Sequence, residues 1–335
     1  MSTQIDSAAA VGGAAARSRS NAVDIVKGIA IILVVIGHTG QGMTHRGWWI
    51  TPQAHFTEAF IYSFHMPAFF FVAGLFVVGS IAKRGARQFI IEKLKTIFYP
   101  YVLMAILSAA IAPMIEQFRS NKHPFAWGPF LLHLIDGEVS WFLFVLFVCL
   151  MIALLTVRVP NWLRFVVAAA VGMTPAFGPP LTNQVLREFC FVAVGMWVGY
   201  RILRLDEISV TAAAVGGGIL FSLQALCIFL FGAATRWTYI ELGLTGIAAL
   251  FLIARVLDGY SMGDLLAWIG RASLAIFLLS EFGQGAGREI LFRVFHTTNF
   301  WLQLFVPSLL ATAVPAIMWH QQDRLRLRWV FRWPF

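Results

Sequence analysis

Asp24-Ile-Val-Lys-Gly-Ile-Ala-Ile-Ile-Leu-Val-Val-Ile-Gly-His38 opens a hydrophobic run long enough to cross a bilayer, yet three ionisable groups, Asp24, Lys27 and His38, interrupt it. Such groups are expensive inside a membrane span and by default mark a functional site. Lys27 and His38 lie eleven residues apart. On a helix that is about three turns, or roughly 16 Å, and it returns to nearly the same face. One helical stripe therefore carries a cation near one membrane surface and a titratable imidazole well above it.

The rest of the chain agrees with a membrane setting. Its 335 residues are 59% hydrophobic and 12% charged, with a mean hydropathy of +0.77. Soluble domains are about 45–50% apolar and about 25% charged. Apolar runs near the length of a bilayer crossing recur along the chain, which predicts an all-α, polytopic membrane bundle. No polar stretch is long enough to fold alone. About ten spans are expected, at 23–42, 56–80, 96–115, 139–157, 160–177, 187–204, 210–232, 239–257, 264–286 and 300–319.

The expected organisation is a disordered cytoplasmic N-terminus over 1–20, a membrane domain over 21–320 and a basic, aromatic cytoplasmic tail over 321–335. A cleaved signal peptide is the rival for the start of the chain. Asp24 and Lys27 enter the run, however, and no clean small-residue cleavage site follows His38. The formal charge is +9. The basic residues sit in short segments between apolar runs, which is an orientation signal rather than a nucleic-acid footprint. One side would hold Arg17, Arg19, Lys83, Arg84, Arg87, Lys93, Lys95, Arg158, Arg164, Arg201, Arg204, Arg255, Arg324, Arg326, Arg328 and Arg332. The other holds the smaller set Arg46, Arg119, Lys122, Arg187, Arg236, Arg288 and Arg293. Both termini are thus expected in the cytoplasm of a multi-pass inner-membrane protein. Membrane lipid is a partner, and nucleic acid is not. Arg and Trp in the tail suit an anionic interface. A topology signal explains them equally well.

This orientation places Lys27 near the cytoplasmic surface and His38 in the outer half. Span two returns inward, so His65 reaches a depth comparable to His38. Glu58, Tyr62 and His65 follow i, i+4, i+7 and share a face on a continuous helix. Two histidines and a carboxylate would converge in an outer cavity, with Trp141 placed to roof it. Cys149, Cys190 and Cys227 show no paired spacing, and neither a disulfide framework nor a metal site is suggested. No phosphate-cradling glycine loop is present.

Five stretches resemble membrane acyltransferase family 3. The first is Lys27 to His38, similar to the family's basic residue, ten residues, then histidine, with Lys where many members carry Arg. Ser63-Phe-His-Met-Pro-Ala-Phe-Phe-Phe-Val-Ala-Gly74 resembles the second-span signature. Lys93-Leu-Lys-Thr-Ile-Phe-Tyr-Pro-Tyr101, Ser140-Trp-Phe-Leu143 and Gly270-Arg-Ala-Ser-Leu-Ala-Ile-Phe-Leu-Leu279 resemble later motifs, in the family's order. The branch most similar is that of fucose 4-O-acetylases and exopolysaccharide O-acetyltransferases. The resemblance implies transfer of an acyl group, usually acetyl, from a coenzyme A thioester to a carbohydrate hydroxyl. Acetyl-CoA would be a co-substrate and no cofactor would be bound. The chain departs from the family at Ser280-Glu281, where many relatives place His after the Leu pair.

Acyl transfer needs a base at the attacking oxygen, a donor for the developing oxyanion and a water-poor site. His38 is the candidate base, against a histidine that merely bridges helices. His65 supports it, binds sugar or packs beside Pro67. Glu58 orients a histidine or binds sugar hydroxyls, unless it is simply a solvated helix-entrance residue. Lys27 either pairs with Asp24 at the interface or draws coenzyme A phosphates to the cytoplasmic mouth. Lys93 and Lys95 are further candidates for those phosphates, and Trp141 and Glu281 for the acceptor, free or as a lipid-linked sugar. The rival function is a proton-coupled transporter or flippase of a sugar or acyl group, since intramembrane His, Lys and Glu also build proton relays. Transporters more often show repeated halves and broken spans at matching positions. No such symmetry is visible here.

Overall fold

The computed structural model describes residues 2–116, 128, 140–174, 180–202, 205–235 and 238–334, with side chains for all of these except 2–20, 112–116 and 200–202. Arg119, Lys122, Arg204 and Arg236, used above for orientation, lie outside the described residues, as do the side chains of Arg17, Arg19 and Arg201. Every regular element among the described residues is helical, with no strand. Six helices are long and apolar enough to cross a membrane, or seven if one sharply bent pair counts as a single span. Two shorter apolar helices, Trp141–Leu155 and Asn161–Met173, fall where spans four and five were expected. The chain divides into two compact units, Met1–Val72 with Val198–Gln321, and Ala73–Trp197 with Gln322–Phe335.

The first unit is built on α1, Ser2–Thr44. Its apolar stretch satisfies every backbone group internally, as a membrane helix must. The chain returns through α2, Pro52–Tyr62, and α3, His65–Leu75. Together they make one candidate span, Pro52–Leu75, as expected, with a local irregularity at residues 63–64. Pro67, in the first turn of α3, has no N–H to give to the Ser63 carbonyl. Side chains hold the irregularity. Ser63 Oγ donates to the Phe60 carbonyl at 2.7 Å and accepts from Gln224 Nε2 at 2.7 Å. Gln224 belongs to α9, Val210–Phe231, which pairs with α10, Tyr239–Leu257.

Two glycine contacts bring α1 against α11, Ser261–Arg271. A Cβ at Gly28 would lie 2.0 Å from the Leu266 carbonyl oxygen, and one at Gly270 would lie 1.8 Å from the Asp24 carbonyl oxygen. Small residues permit this backbone contact, which larger ones would prevent. Directly after Gly270 the chain turns by 78° into α12, Ser273–Arg293. The expected single span over 264–286 is therefore two helices. The last helix of the unit, α13 (Phe300–His320), packs on α12, with Gly287 against Pro307.

In the second unit, α4 spans Val77–Lys93 with a kink at Gly85, whose φ of 78° and ψ of 166° favour glycine. The basic residues Lys83, Arg84 and Arg87 thus sit on helix rather than in a loop. A π-helical turn, Leu94–Phe98, joins α4 to α5, Tyr99–Glu116. Pro100 cannot donate to the Thr96 carbonyl, and the wider turn accommodates that loss. The C-terminal tail, with its short helix α14 at Arg328–Phe331, docks on this turn. Trp333 N–H donates to the Lys95 carbonyl at 3.1 Å, and the Trp333 ring meets Tyr99 at 5.1 Å. Glu92 is paired by Arg84 and by Arg332.

Arg164 was expected to be a cytoplasmic orientation residue, but it is buried. It lies on α7, Asn161–Met173, where that helix meets α6, Trp141–Leu155. Its guanidinium donates to the carbonyls of Thr156, Val157 and Val159 and to Asn161 Oδ1, at 2.7–3.2 Å. These carbonyls lie just past the end of α6, and that of Thr156 also accepts from Val159 N–H at 3.0 Å. Arg164→Ala should destabilise the protein by about 2–4 kcal/mol, the cost of buried carbonyls left without donors. Unfolding of detergent-solubilised protein measures this, and an unchanged midpoint would show that the turn holds itself. Gly270→Ala should lower the midpoint as well, because its methyl group meets backbone rather than a movable side chain.

Candidate active site

His38 sits one and a half turns before the end of α1, half-buried. Tyr62, the last residue of α2, stands between it and His65. The Tyr62 ring meets His38 edge-on at 6.1 Å and His65 edge-on at 4.8 Å. Gly37 makes room for it, since a Cβ there would lie 3.0 Å from Tyr62 Cε2. The Tyr62 hydroxyl is buried and has no hydrogen-bond partner. His65 follows Tyr62 by about one turn, and its Nδ1 donates to the carbonyl of Ile61, four residues back, at 2.6 Å. A carbonyl only accepts, so Nδ1 carries a proton.

The polar partners of His38 come from two directions. Glu281, on α12, acts electrostatically on the imidazole, and the Gln41 side chain lies within polar contact of it. Gln41 Nε2 also donates to Glu58 Oε1 at 2.7 Å. Glu58 therefore reaches His38 through Gln41, while Glu281, itself exposed, acts on the imidazole through space. His38 and His65 are also close enough to interact electrostatically. Glu58 and Tyr62 line a cavity of about 880 Å³ formed with Pro52, Gln53, His55 and Phe56 of α2 and with Ile228, Phe229 and Gly232 from the end of α9. It is large enough for a sugar-sized ligand, since small-molecule sites span roughly 300–1,000 Å³.

Lys27 lies toward the start of α1 and is paired. Its Nζ meets Asp24 Oδ1 at 2.9 Å, and Arg271 approaches Asp24 Oδ2 at 3.9 Å. Two cations thus share the Asp24 carboxylate, and Asp258 accepts from Asn21 Nδ2 at 2.9 Å at the same end of the helix. The late glycine motif serves both features: Gly270 seats α11 on the Asp24 backbone and Arg271 reaches the Asp24 side chain. Lys93, Lys95 and Trp141 belong to the second unit. Lys93 Nζ lies 5.2 Å from the centre of the Phe89 ring, and Lys95 stands in the π-helical turn under the tail. Trp141 begins α6 and packs edge-on against Phe142. Tyr62 was placed on the right face by its spacing, but nothing in the sequence marked its hydroxyl as functional. Its position next to His65 in the chain was the available signal.

Residues 20–320 match the model of the acyltransferase domain family. Two curated relatives are nodulation proteins named NolL. The one from Mesorhizobium japonicum is 29% identical over 175 residues, covering 48% of this chain and 43% of its own. The one from Sinorhizobium fredii is 41% identical over 73 residues, covering 21% of this chain and 19% of its own. The chain thus spans less than half the length of either relative.

A buried hydroxyl without a protein partner contributes nothing to stability and is available to a ligand. Tyr62→Phe should leave the unfolding midpoint unchanged or slightly raised, while acyl transfer falls about 10–100-fold, somewhat below the loss of a full oxyanion donor. A fall in both would make Tyr62 a packing residue.

Proposed function

We propose that this chain, which belongs to the acyltransferase domain family, is an integral-membrane O-acyltransferase that moves an acyl group, most simply acetyl, from a coenzyme A thioester to a carbohydrate hydroxyl. The observation that carries this reading is the meeting of His38, Tyr62, His65 and Glu281 inside the matched segment, beside a cavity of about 880 Å³. The acceptor belongs to cell-surface polysaccharide synthesis or modification, as a free or a lipid-linked sugar. In this reading the membrane carries about ten spans with both termini in the cytoplasm. That orientation puts Lys27 at the cytoplasmic side and the Thr44 end of α1 at the outer side.

His38 removes the proton from the acceptor hydroxyl as its oxygen attacks the thioester carbonyl. The Glu281 carboxylate offsets the imidazolium that results, and this is where the departure Ser280-Glu281 acquires a role. The negative charge on the carbonyl oxygen then needs a donor, for which the Tyr62 hydroxyl is placed. Collapse of the tetrahedral intermediate breaks the carbon–sulfur bond. The leaving thiolate takes the proton held by His38, which restores the neutral base. Coenzyme A phosphates enter at the cytoplasmic end, where Lys27 and Arg271 share Asp24, and Lys93 and Lys95 are further candidates to hold them. The extended pantetheine arm then covers the roughly 16 Å rise along α1 from Lys27 to His38. Trp141 remains the candidate to stack on the acceptor ring.

Membranes carrying wild-type protein or His38→Ala at matched amounts, given labelled acetyl-CoA and a panel of glycans, test the proposal. Label should enter glycan with wild type and fall by 10²–10⁴-fold in the variant, the usual range for a positioned base. Equal labelling would remove His38 from the mechanism. No labelling in either, with glycan or label instead crossing the membrane, would favour a transporter.

A further inference from the structure

We infer that Arg288 recognises an oxyanion on the acceptor, a phosphate or carboxylate within one or two sugar units of the hydroxyl that is acylated. This deepens the acyltransferase reading and rests on it. Arg288 follows Glu281 by seven residues, so the two share a face of α12. Gly42 likewise follows His38 by four residues on α1. Glu281 acts on His38, and the Arg288 guanidinium lies directly over Gly42, where a Cβ would fall 1.3 Å from Nη1. Arg288 therefore stands about 6–10 Å beyond the His38–Glu281 pair, toward the Thr44 end of α1.

The protein itself compensates this cation only weakly. Among the described residues its only hydrogen bond is a long one, from Nη1 to the Thr39 carbonyl at 3.4 Å, and Nε is buried without a partner. The neighbouring carboxylate, Glu289, is already engaged by Arg46 at Oε1 and by Arg293 at Oε2, the latter at 2.7 Å. Three arginines thus face one acid. A partly buried guanidinium with five donors and one weak bond is costly, and a planar oxyanion is its natural complement. The coenzyme A phosphates are assigned to the opposite end of α1, about four turns away, which leaves the acceptor as the source of this second anion. Neither Arg288 nor Gly42 belongs to the five motifs.

The test reads binding apart from transfer. Purified protein in neutral detergent is titrated with inorganic phosphate and, separately, with glucuronate while the unfolding midpoint is followed. Wild type should show a saturable upward shift with at least one of them, and the stronger anion tells phosphate from carboxylate. Arg288→Gln should need at least tenfold more anion, and Arg288→Lys should be intermediate, because it keeps the charge and loses the bidentate fork. Arg288→Lys carries the comparison should the Gln variant fail to accumulate. In labelled transfer, Arg288→Gln should raise KM for an acidic acceptor at least tenfold and leave KM for acetyl-CoA alone. No shift in wild type, or equal shifts in wild type and both variants, would overturn the inference. Failure of the acyltransferase reading shows separately, as absent label transfer by wild type with the anion shift intact.

Discussion

The contact between the backbone of α1 and α11 is the constraint on which the site depends. In a bilayer, helices gain little from hiding apolar surface from one another, so close van der Waals approach and polar contacts between helices hold them together. Gly28 and Gly270 allow carbonyl oxygens to occupy space that a methyl group would fill. That approach sets the depth of α1 relative to the 78° turn after Arg271, and the turn launches α12 along the face that carries His38. Glu281 comes within electrostatic reach of the imidazole because of this registry, and Arg288 meets Gly42 for the same reason.

The second device is a local irregularity inside span two, at residues 63–64, where the Ser63–Gln224 bond ties the span to α9 with buried polar groups. Tyr62 and His65 lie about one turn apart across it, so that one aromatic ring separates two histidines. In the second unit a π-helical turn at Pro100 absorbs the missing donor and receives the C-terminal tail. Arg164 supplies side-chain donors to carbonyls just past a helix end.

How far the site was legible depends on the kind of signal each residue left. His38 stood out because an imidazole in an apolar run has few inexpensive explanations. His65 stood out for the same reason. Glu58 looked like the carboxylate of the cluster by periodicity, and it approaches His38 only through Gln41. Glu281 was noticed as a departure from a motif, and its proximity to His38 comes from a different helix. Tyr62, Gly42 and Arg288 left no separate mark, because a tyrosine, a glycine and an arginine near a helix end are ordinary in membrane proteins.

The sequence by itself determined the helical membrane class, the family and the two histidines, since these follow from composition, run length and local order along the chain. Hydropathy and motif spacing are one-dimensional quantities, and the cost of burying charge in lipid makes them informative. Tertiary structure alone decided which acid acts on His38, which hydroxyl lies between the histidines and which arginine must share its counter-ion with two others. Those facts depend on the registry between α1, α11 and α12. Registry is set by glycine contacts a few ångströms wide between segments more than two hundred residues apart, and no local pattern records it.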